Sequence, residues 1–431
     1  MRIGIVGGGL MGMALARRYA ADGHEVTVVE YAEQVGGLAT WSGFGSFDWD
    51  RLYQVILPSD RNLIGFLKDL DMQDELEWRR APTGFYVDEK LHSVSNKSEF
   101  LKFPLLSLPA KIRLGFAMQY ASRISAWNPL ESVSCDEWLR KISGSENLEK
   151  FWKPLLLAKF GPSYSRVSAV FVWSYIKRIL SARNKSAGGD EFGHVKGGYK
   201  SIFSKIENHI KATNGRVLLK ETVMRISCDD SGVSIHTPQR KLNFDEVVFT
   251  GSTDVFESVV DDELLDVDGG RGVVEYLGVV CVVLVTRKPV THFHVVNIAD
   301  ETIPFSRLVG MSNVVDVKNT DGYHLTYLPK YMLSTDLVQE KPDSYFKETF
   351  LQGIKRMFPD FSMRDVVGAY VHRAGKLQPL QVLNYSSMVP PVSTKDSRLH
   401  VLNSSQLVNC SLSNNEVIGA VDRFYDETRD Q

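Results

Sequence analysis

The chain has 431 residues, 43% hydrophobic and 24% charged, with 50 basic against 52 acidic side chains and a formal net charge of −2. That length predicts two domains, or one domain interrupted by another, with ample core to bury. The balanced charge gives no electrostatic reason to expect a nucleic-acid partner, and the longest apolar run, Leu277–Val285, is too short to span a bilayer. Four scattered cysteines, Cys135, Cys228, Cys281 and Cys410, show no C-x-x-C pair and no metal spacing. They read as reduced thiols, no signal peptide is expected before the first strand, and the expectation is a soluble, cytoplasmic protein.

The first thirty residues read as a nucleotide-binding strand–helix–strand unit. Arg2–Val6 is a short apolar strand, and Gly7-Gly8-Gly9-Leu10-Met11-Gly12 supplies a G-x-G-x-x-G turn. Gly7 permits the tight turn, Gly9 lets backbone approach a pyrophosphate, and Gly12 lets helix pack on strand. The N–H groups at the helix start, at Leu10 and Met11, would face the phosphates. Glu25–Glu30 is the next strand, and Glu30 stands where a carboxylate accepts hydrogen bonds from a ribose diol. Tyr31 follows it, and Gly36-Gly37-Leu38-Ala39 brings a second glycine pair close to the cofactor.

Asp60–Asp71 predicts an amphipathic helix with Leu63, Phe66, Leu67 and Leu70 on one face. Residues 100–185 read as mostly helical and rich in aromatics, closed by a polar loop at Asn184–Asp190. Leu101–Ser125 mixes apolar with basic side chains, which suits either a peripheral membrane surface or an amphipathic cap helix, the latter being favoured. After Val195-Lys196-Gly197-Gly198-Tyr199 come a helix to about Thr213 and strands at Arg216–Lys220, Val223–Ile226, Val233–Thr237 and Glu246–Thr250. The last ends in Thr250-Gly251-Ser252, a return to the first sheet. Val273–Val285, Phe293–Ile298, Tyr323–Leu328 and Val366–His372 are further strands, Ser344–Met357 is a helix, and Asn415–Asp426 a final helix. The reading is an α/β nucleotide-binding domain from residues 1–90, 195–260 and 385–431, interleaved with a mixed α+β substrate domain from 91–194 and 261–384. Nicotinamide dehydrogenases usually keep the nucleotide domain in one piece, so interleaving favours a flavoprotein.

At GGGLMGMALA with Glu30, VGGLAT, FDWDRLYQVILPSDRNLIGFLKDL, WKPLLLAKFG, HVKGGY, EYLGVVCVVLV and the C-terminal LHVLNSSQLVNCSLSNNEVIGA, the chain resembles the FAD-dependent amine oxidase and protoporphyrinogen oxidase-like superfamily. The resemblance covers nearly the whole length. It implies a Rossmann-like FAD-binding domain, with Gly7, Gly9, Leu10, Met11 and Gly12 at the pyrophosphate, Glu30 and Tyr31 at the adenosine ribose, and Gly36, Gly37, Leu38 and Ala39 in a second flavin-contacting loop. It also implies that Val223 holds adenine through its backbone, that Thr250, Gly251 and Asn403 belong to the cofactor site, and that Asn415 opens the helix facing the flavin pyrimidine. Three segments depart from relatives, Asn403-Ser404-Ser405, residues 408–415 and Gly310-Met311-Ser312-Asn313, and all are expected near the flavin or the substrate.

For catalysis, Lys159 between apolar residues and a glycine is the leading candidate, a buried base with lowered pKa or else a structural or snorkelling lysine. Arg373 would anchor an anionic substrate group or form a domain-interface salt bridge. Tyr323 and Tyr327 share one strand face, and Tyr327 is taken as a pocket residue, with His324 on the other face. His292 and His294 have no partner completing a metal set, so no metal is expected. The expected function is oxidation of a small or lipophilic organic substrate by hydride transfer to flavin N5. The alternatives are a redox-neutral enzyme similar to UDP-galactopyranose mutase, acting on a nucleotide sugar, and a flavin-binding protein that has lost catalysis. Oligomeric state is not legible.

Overall fold

The computed structural model describes residues 1–182, 190–265, 274–337 and 341–429. The N-terminal unit forms as its pattern demands. Strands Arg2–Val6 and Glu25–Val29 lie parallel, joined by helix Leu10–Ala21, whose Leu10, Ala14 and Leu15 are buried against the sheet. Strands Arg216–Leu218, Glu246–Phe249 and Leu399–Val401 complete a parallel five-stranded sheet, so three distant parts of the chain share one layer. Helix Arg61–Asp69 buries Leu63, Phe66 and Leu67 beside helices Gly198–Ala212 and Asn414–Arg429 in the same core.

A second, seven-stranded sheet carries the other half of the fold, with Tyr276–Thr286 next to one edge, between the edge strand Val366–Pro379 and His324–Leu333. All eleven residues of Tyr276–Thr286 are buried, which explains a β-branched run without polar alternation. Its two faces part cleanly. Val280, Val282, Leu284, Leu308 and Leu328 pack under helix Asp343–Met357. Val279, Cys281, Val283, Val309 and Tyr327 face Phe44, Phe47 and Trp49 of the Trp41–Asp50 hairpin, on the nucleotide-binding side. The fold is thus the expected pair of interleaved layers. The expected boundary at residue 90 falls late, because Thr83–Val87 and Lys90–Ser93 already belong to the seven-stranded sheet. Strand Val366–Pro379 runs seven residues beyond its expected end, paired with Tyr276–Thr286 through a bulge.

A helical layer covers one end of this sheet: Leu108–Arg123, Cys135–Ser143, Lys153–Phe160 and Ala169–Ala182. Its aromatics mostly form core, with Trp138, Trp152, Phe160, Phe171 and Trp173 buried together. The loop expected at Asn184–Asp190 lies, up to residue 189, outside the described residues. Helix Leu108–Arg123 is unusual because both faces are apolar. Ala110, Leu114, Ala117 and Ala121 pack inward. Leu108, Ile112, Phe116 and Tyr120, four apart, form an outward stripe that is 59, 52, 73 and 56% exposed. Arg113 and Lys141 line the shallow groove beside that stripe. No helix among the described residues is long and apolar enough to cross a membrane.

Candidate active site

The glycine turn does three separate jobs. Gly7 has φ +110°, and its N–H donates to Val29 O at 2.9 Å. A Cβ on Gly12 would lie 2.0 Å from Gly7 O, so the helix can approach the turn only without a side chain there. Gly9 has ordinary extended backbone, so its role is space. A Cβ on Gly37 would lie 3.1 Å from Gly9 Cα, and Gly36 N–H donates to Gly8 O at 2.8 Å. The two glycine loops therefore touch through backbone alone. They leave a cradle of bare peptide at the start of helix Leu10–Ala21, where free N–H groups attract phosphate. Leu10, Met11 and Ala39 bury their side chains in the core behind it, so any contact they make with a ligand is through backbone.

Glu30 is buried at the end of its strand. Its carboxylate accepts from Gly8 N at 2.5 Å and Ala32 N at 2.8 Å, which fixes it at the mouth of the cradle with lone pairs to spare. The chain at 218–221 runs alongside, with Glu30 N donating to Leu218 O and Glu221 N to Glu30 O, and Val223 follows two residues later, ahead of strand Arg225–Asp229. This arrangement fits an adenosine diphosphate moiety: peptide N–H groups for pyrophosphate, a carboxylate for the ribose, and backbone for adenine. Thr250 works from behind, its N–H and hydroxyl both donating to Val6 O, and a Cβ on Gly251 would strike the Phe249 ring. Tyr31, 76% exposed, and Leu38 project outward.

Two expected contacts are corrected at the level of the side chain. Asn403 is buried and spent on capping, its Oδ1 accepting from Ser405 N at 2.9 Å and its Nδ2 donating to Thr253 Oγ1. Asn415 Oδ1 accepts from Asn62 N at 2.9 Å and Leu63 N at 3.2 Å, so it caps helix Arg61–Asp69. The final helix begins one residue earlier, at Asn414, whose Nδ2 donates to Gln54 Oε1 at 3.0 Å and Tyr199 OH at 2.6 Å. The segment at 310–313 is likewise structural. Asn313 Nδ2 donates to Thr291 O and Phe293 O, and Ser312 Oγ accepts from Leu325 N.

The second half of the site faces the cradle across the Trp41–Asp50 hairpin. Tyr327 is buried on the facing side of the seven-stranded sheet, and its hydroxyl donates to Asp50 O at 2.6 Å. Burial holds that phenol well above its ordinary pKa, so Tyr327 positions the hairpin and is no base. Asp50 is buried too, its Oδ1 accepting from Tyr199 N at 2.9 Å at the start of helix Gly198–Ala212. Gly198 has φ +67°, and a Cβ there would come 2.9 Å from that oxygen. Burial pushes the Asp50 carboxyl up to about 7, with the Tyr199 N–H opposing.

Arg373 is the clearest correction. It pairs in register with Val280, on the face turned away from the hairpin. There its guanidinium bonds to Asp343 and, at 3.1 Å, to Lys341 O, and stacks 5.5 Å from the Phe346 ring centroid. It holds the start of helix Asp343–Met357 and cannot anchor a ligand on the opposite side.

Lys159 sits among aromatic rings. Its ammonium lies 5.0, 5.5 and 6.0 Å from the ring centroids of Phe171, Tyr331 and Phe160. Burial, then the charges of Arg307 and Arg178, pull it down to about 7. Four neighbours escaped the sequence reading: Tyr53, Tyr175, Arg307 and Tyr331. The Tyr53 and Tyr331 hydroxyls meet at 2.7 Å. Extending the period-two alternation from Tyr327 would have found Tyr331, and Arg307 in the otherwise apolar strand Arg307–Gly310 was a signal overlooked. His294 is fully buried, and burial lowers its imidazole to about 4 beside Gly310 O. Among the described residues no group of three His, Cys, Asp or Glu side chains could hold a metal ion.

Against this geometry, residues 10–401 match the family model of flavin-containing amine oxidoreductases. The chain belongs to that family. FAD is the cofactor, and the bare peptides and buried carboxylate of the cradle are chemically suited to its adenosine diphosphate half. The chain is 26% identical to the 15-cis-phytoene desaturase of Synechococcus elongatus over 54% of its own length and 52% of that protein. It spans about half the length of the curated relatives it matches best. Among solved structures it resembles an oxidoreductase from Methanosarcina mazei, with a TM-score of 0.77, 18% identity and coverage of 99% of this chain and 100% of that one. A putrescine oxidase bound to putrescine gives a TM-score of 0.75 at 16% identity, with both chains covered fully. These structural likenesses show the shared fold.

Proposed function

We propose that this flavoprotein oxidises a small or lipophilic organic substrate held between the inward face of the seven-stranded sheet and the nucleotide-binding layer. The observation that carries the reading is the backbone contact of the two glycine loops beside the buried Glu30, which leaves bare peptide and a carboxylate together at a helix start. When bound, FAD supplies a two-electron acceptor for a hydride from substrate carbon. The chain's own residues bind, orient and exclude water. Gly9, Gly36 and Gly37 admit the pyrophosphate, and Glu30 and the backbone near Val223 fix the adenosine end. Tyr327 and Asp50 lock the hairpin between the two layers, and Tyr53, Tyr331 and Lys159 wall the substrate side. Lys159, drawn down to about 7, is suited to take or give a proton near neutral pH.

Anaerobic titration of the yellow protein with candidate amines, alcohols and unsaturable hydrocarbons tests this. Bleaching of the flavin band by at least one class supports it. A flavin that is bleached by dithionite and by none of these, in a protein active only when so reduced, would instead favour the redox-neutral reading. The outward stripe Leu108, Ile112, Phe116 and Tyr120, with Arg113 and Lys141 beside it, supports peripheral contact with an anionic lipid surface. Flotation with anionic liposomes, lost on Phe116→Asp, is the expected result. Protein that stays at the bottom of the gradient removes the idea.

A further inference from the structure

Helix Lys153–Phe160 and strand Arg307–Gly310 carry two basic side chains that have no carboxylate partner among the described residues. Lys159, on helix Lys153–Phe160, makes no ion pair among the described residues and faces three aromatic rings. Arg307 sits across from it on the sheet. It is two residues from Val309, which pairs with Tyr327, so alternation sets it on the face shared by Tyr327 and Tyr331. The phenols of Tyr53, Tyr175 and Tyr331 surround it, burial opposes its charge, and no acid pairs with it among the described residues. Arg178, close enough to Lys159 to repel it, shows the contrast, for its Nε and one Nη donate to the buried Asp60, at 3.2 and 2.9 Å.

Holding the Arg307 charge beside Lys159 without a counter-ion is costly, and Lys159 responds by giving up its proton readily; an anion bound between them would restore that proton and pair both groups. Lys159 and Arg307 are each half-buried, so each keeps some surface that a ligand can reach. A simple amine, cationic at neutral pH, would be repelled there. A planar or tetrahedral oxyanion would receive the Arg307 fork and the Lys159 point charge together.

We propose that Lys159 and Arg307 form a subsite for the anionic group of the substrate, a carboxylate or phosphate on an otherwise aromatic or apolar molecule, with Tyr53, Tyr175 and Tyr331 flanking it. This rests on the reading of this region as the substrate site of a flavoprotein. The test uses the full chain loaded with FAD, titrated with phenylacetate, phenyl phosphate, phenylacetamide and phenethylamine. Binding is followed by the flavin spectrum and by calorimetry. One of the two anions should bind at least about tenfold more tightly than the amide, with the amine weakest, and which anion wins separates carboxylate from phosphate. Lys159→Met and Arg307→Met should each weaken that anion by on the order of 10- to 100-fold, with amide affinity and FAD content unchanged, and Lys159→Arg should retain most of it. The proposal is overturned if the amine binds as tightly as the anions, if both Met variants keep full anion affinity, or if they lose FAD in place of the anion. Anion binding seen by calorimetry in a chain that takes up no FAD would leave the subsite standing and remove the flavoprotein reading.

Discussion

The nucleotide cradle and the proposed substrate wall are built by opposite means. The cradle is backbone, made where Gly9, Gly36 and Gly37 remove side chains so that two loops touch and N–H groups stay bare. The wall is side chain, assembled from Tyr53, Lys159, Tyr175, Arg307 and Tyr331, which come from separate stretches of the chain. A site made of missing side chains tolerates almost no substitution. A site made of present ones can be retuned residue by residue, which is how one flavin fold serves many substrates.

The largest effect should come from the cradle. Gly12→Val places a branched side chain where a Cβ already lies 2.0 Å from Gly7 O, and we expect no folded, FAD-binding protein, measured by soluble yield and bound flavin. Overpacking of this severity costs about 3 kcal/mol or more. A yellow, folded Gly12→Val would break the claim that the turn has no slack.

Glu30→Ala should keep the fold and weaken FAD by on the order of 10- to 100-fold, read by titration of the flavin-free protein, since it removes a carboxylate worth about 1.5–3 kcal/mol of charge-assisted bonding. Unchanged affinity would place the ribose elsewhere.

Asp50 sharpens the comparison, because it joins the two halves. Its carboxyl is raised in the fold to about 7, so the folded state binds the proton more tightly than the unfolded one. Stability should therefore fall as pH rises from about 4 through about 7. Asp50→Asn keeps an acceptor for the Tyr199 N–H and should flatten that slope. It should also stabilise the protein at pH 8 by about 1–3 kcal/mol, below the full linkage value because the helix start favours negative charge. Parallel melting curves for both proteins between pH 4 and 8 would contradict this.

Arg373→Met should do least. The pair with Asp343 is partly exposed, so a loss of about 1 kcal/mol or less in thermal stability is expected, with ligand binding unaltered. A large change in anion affinity would mean that the outer face communicates with the proposed substrate site.

The same contrast decides what the sequence could tell. Gly7, Gly12 and Gly36 sit at spacings dictated by peptide geometry, so their conformational tasks could be read from order alone. The resemblance sets Asn403 and Asn415 at the cofactor; their side-chain amides are taken by bare helix N–H groups as caps, which leaves their backbone N–H groups as the part that could meet it. Arg373 shows the limit of strand reading. Its alternation was legible, but which face met the nucleotide layer depended on packing against helix Asp343–Met357. Lys159 was found through its apolar neighbours, whereas Arg307 and Tyr175 gained meaning only when the fold set them beside it.

The account's central claim is that the touching glycine loops and Glu30 hold FAD. Titration of flavin-free protein with FAD, in parallel with NAD, tests it directly, with the bound nucleotide released by denaturation and quantified. The predicted result is one FAD per chain, no competition from NAD, and a yellow protein. A colourless chain that takes up no FAD, or one that prefers NAD, would contradict it.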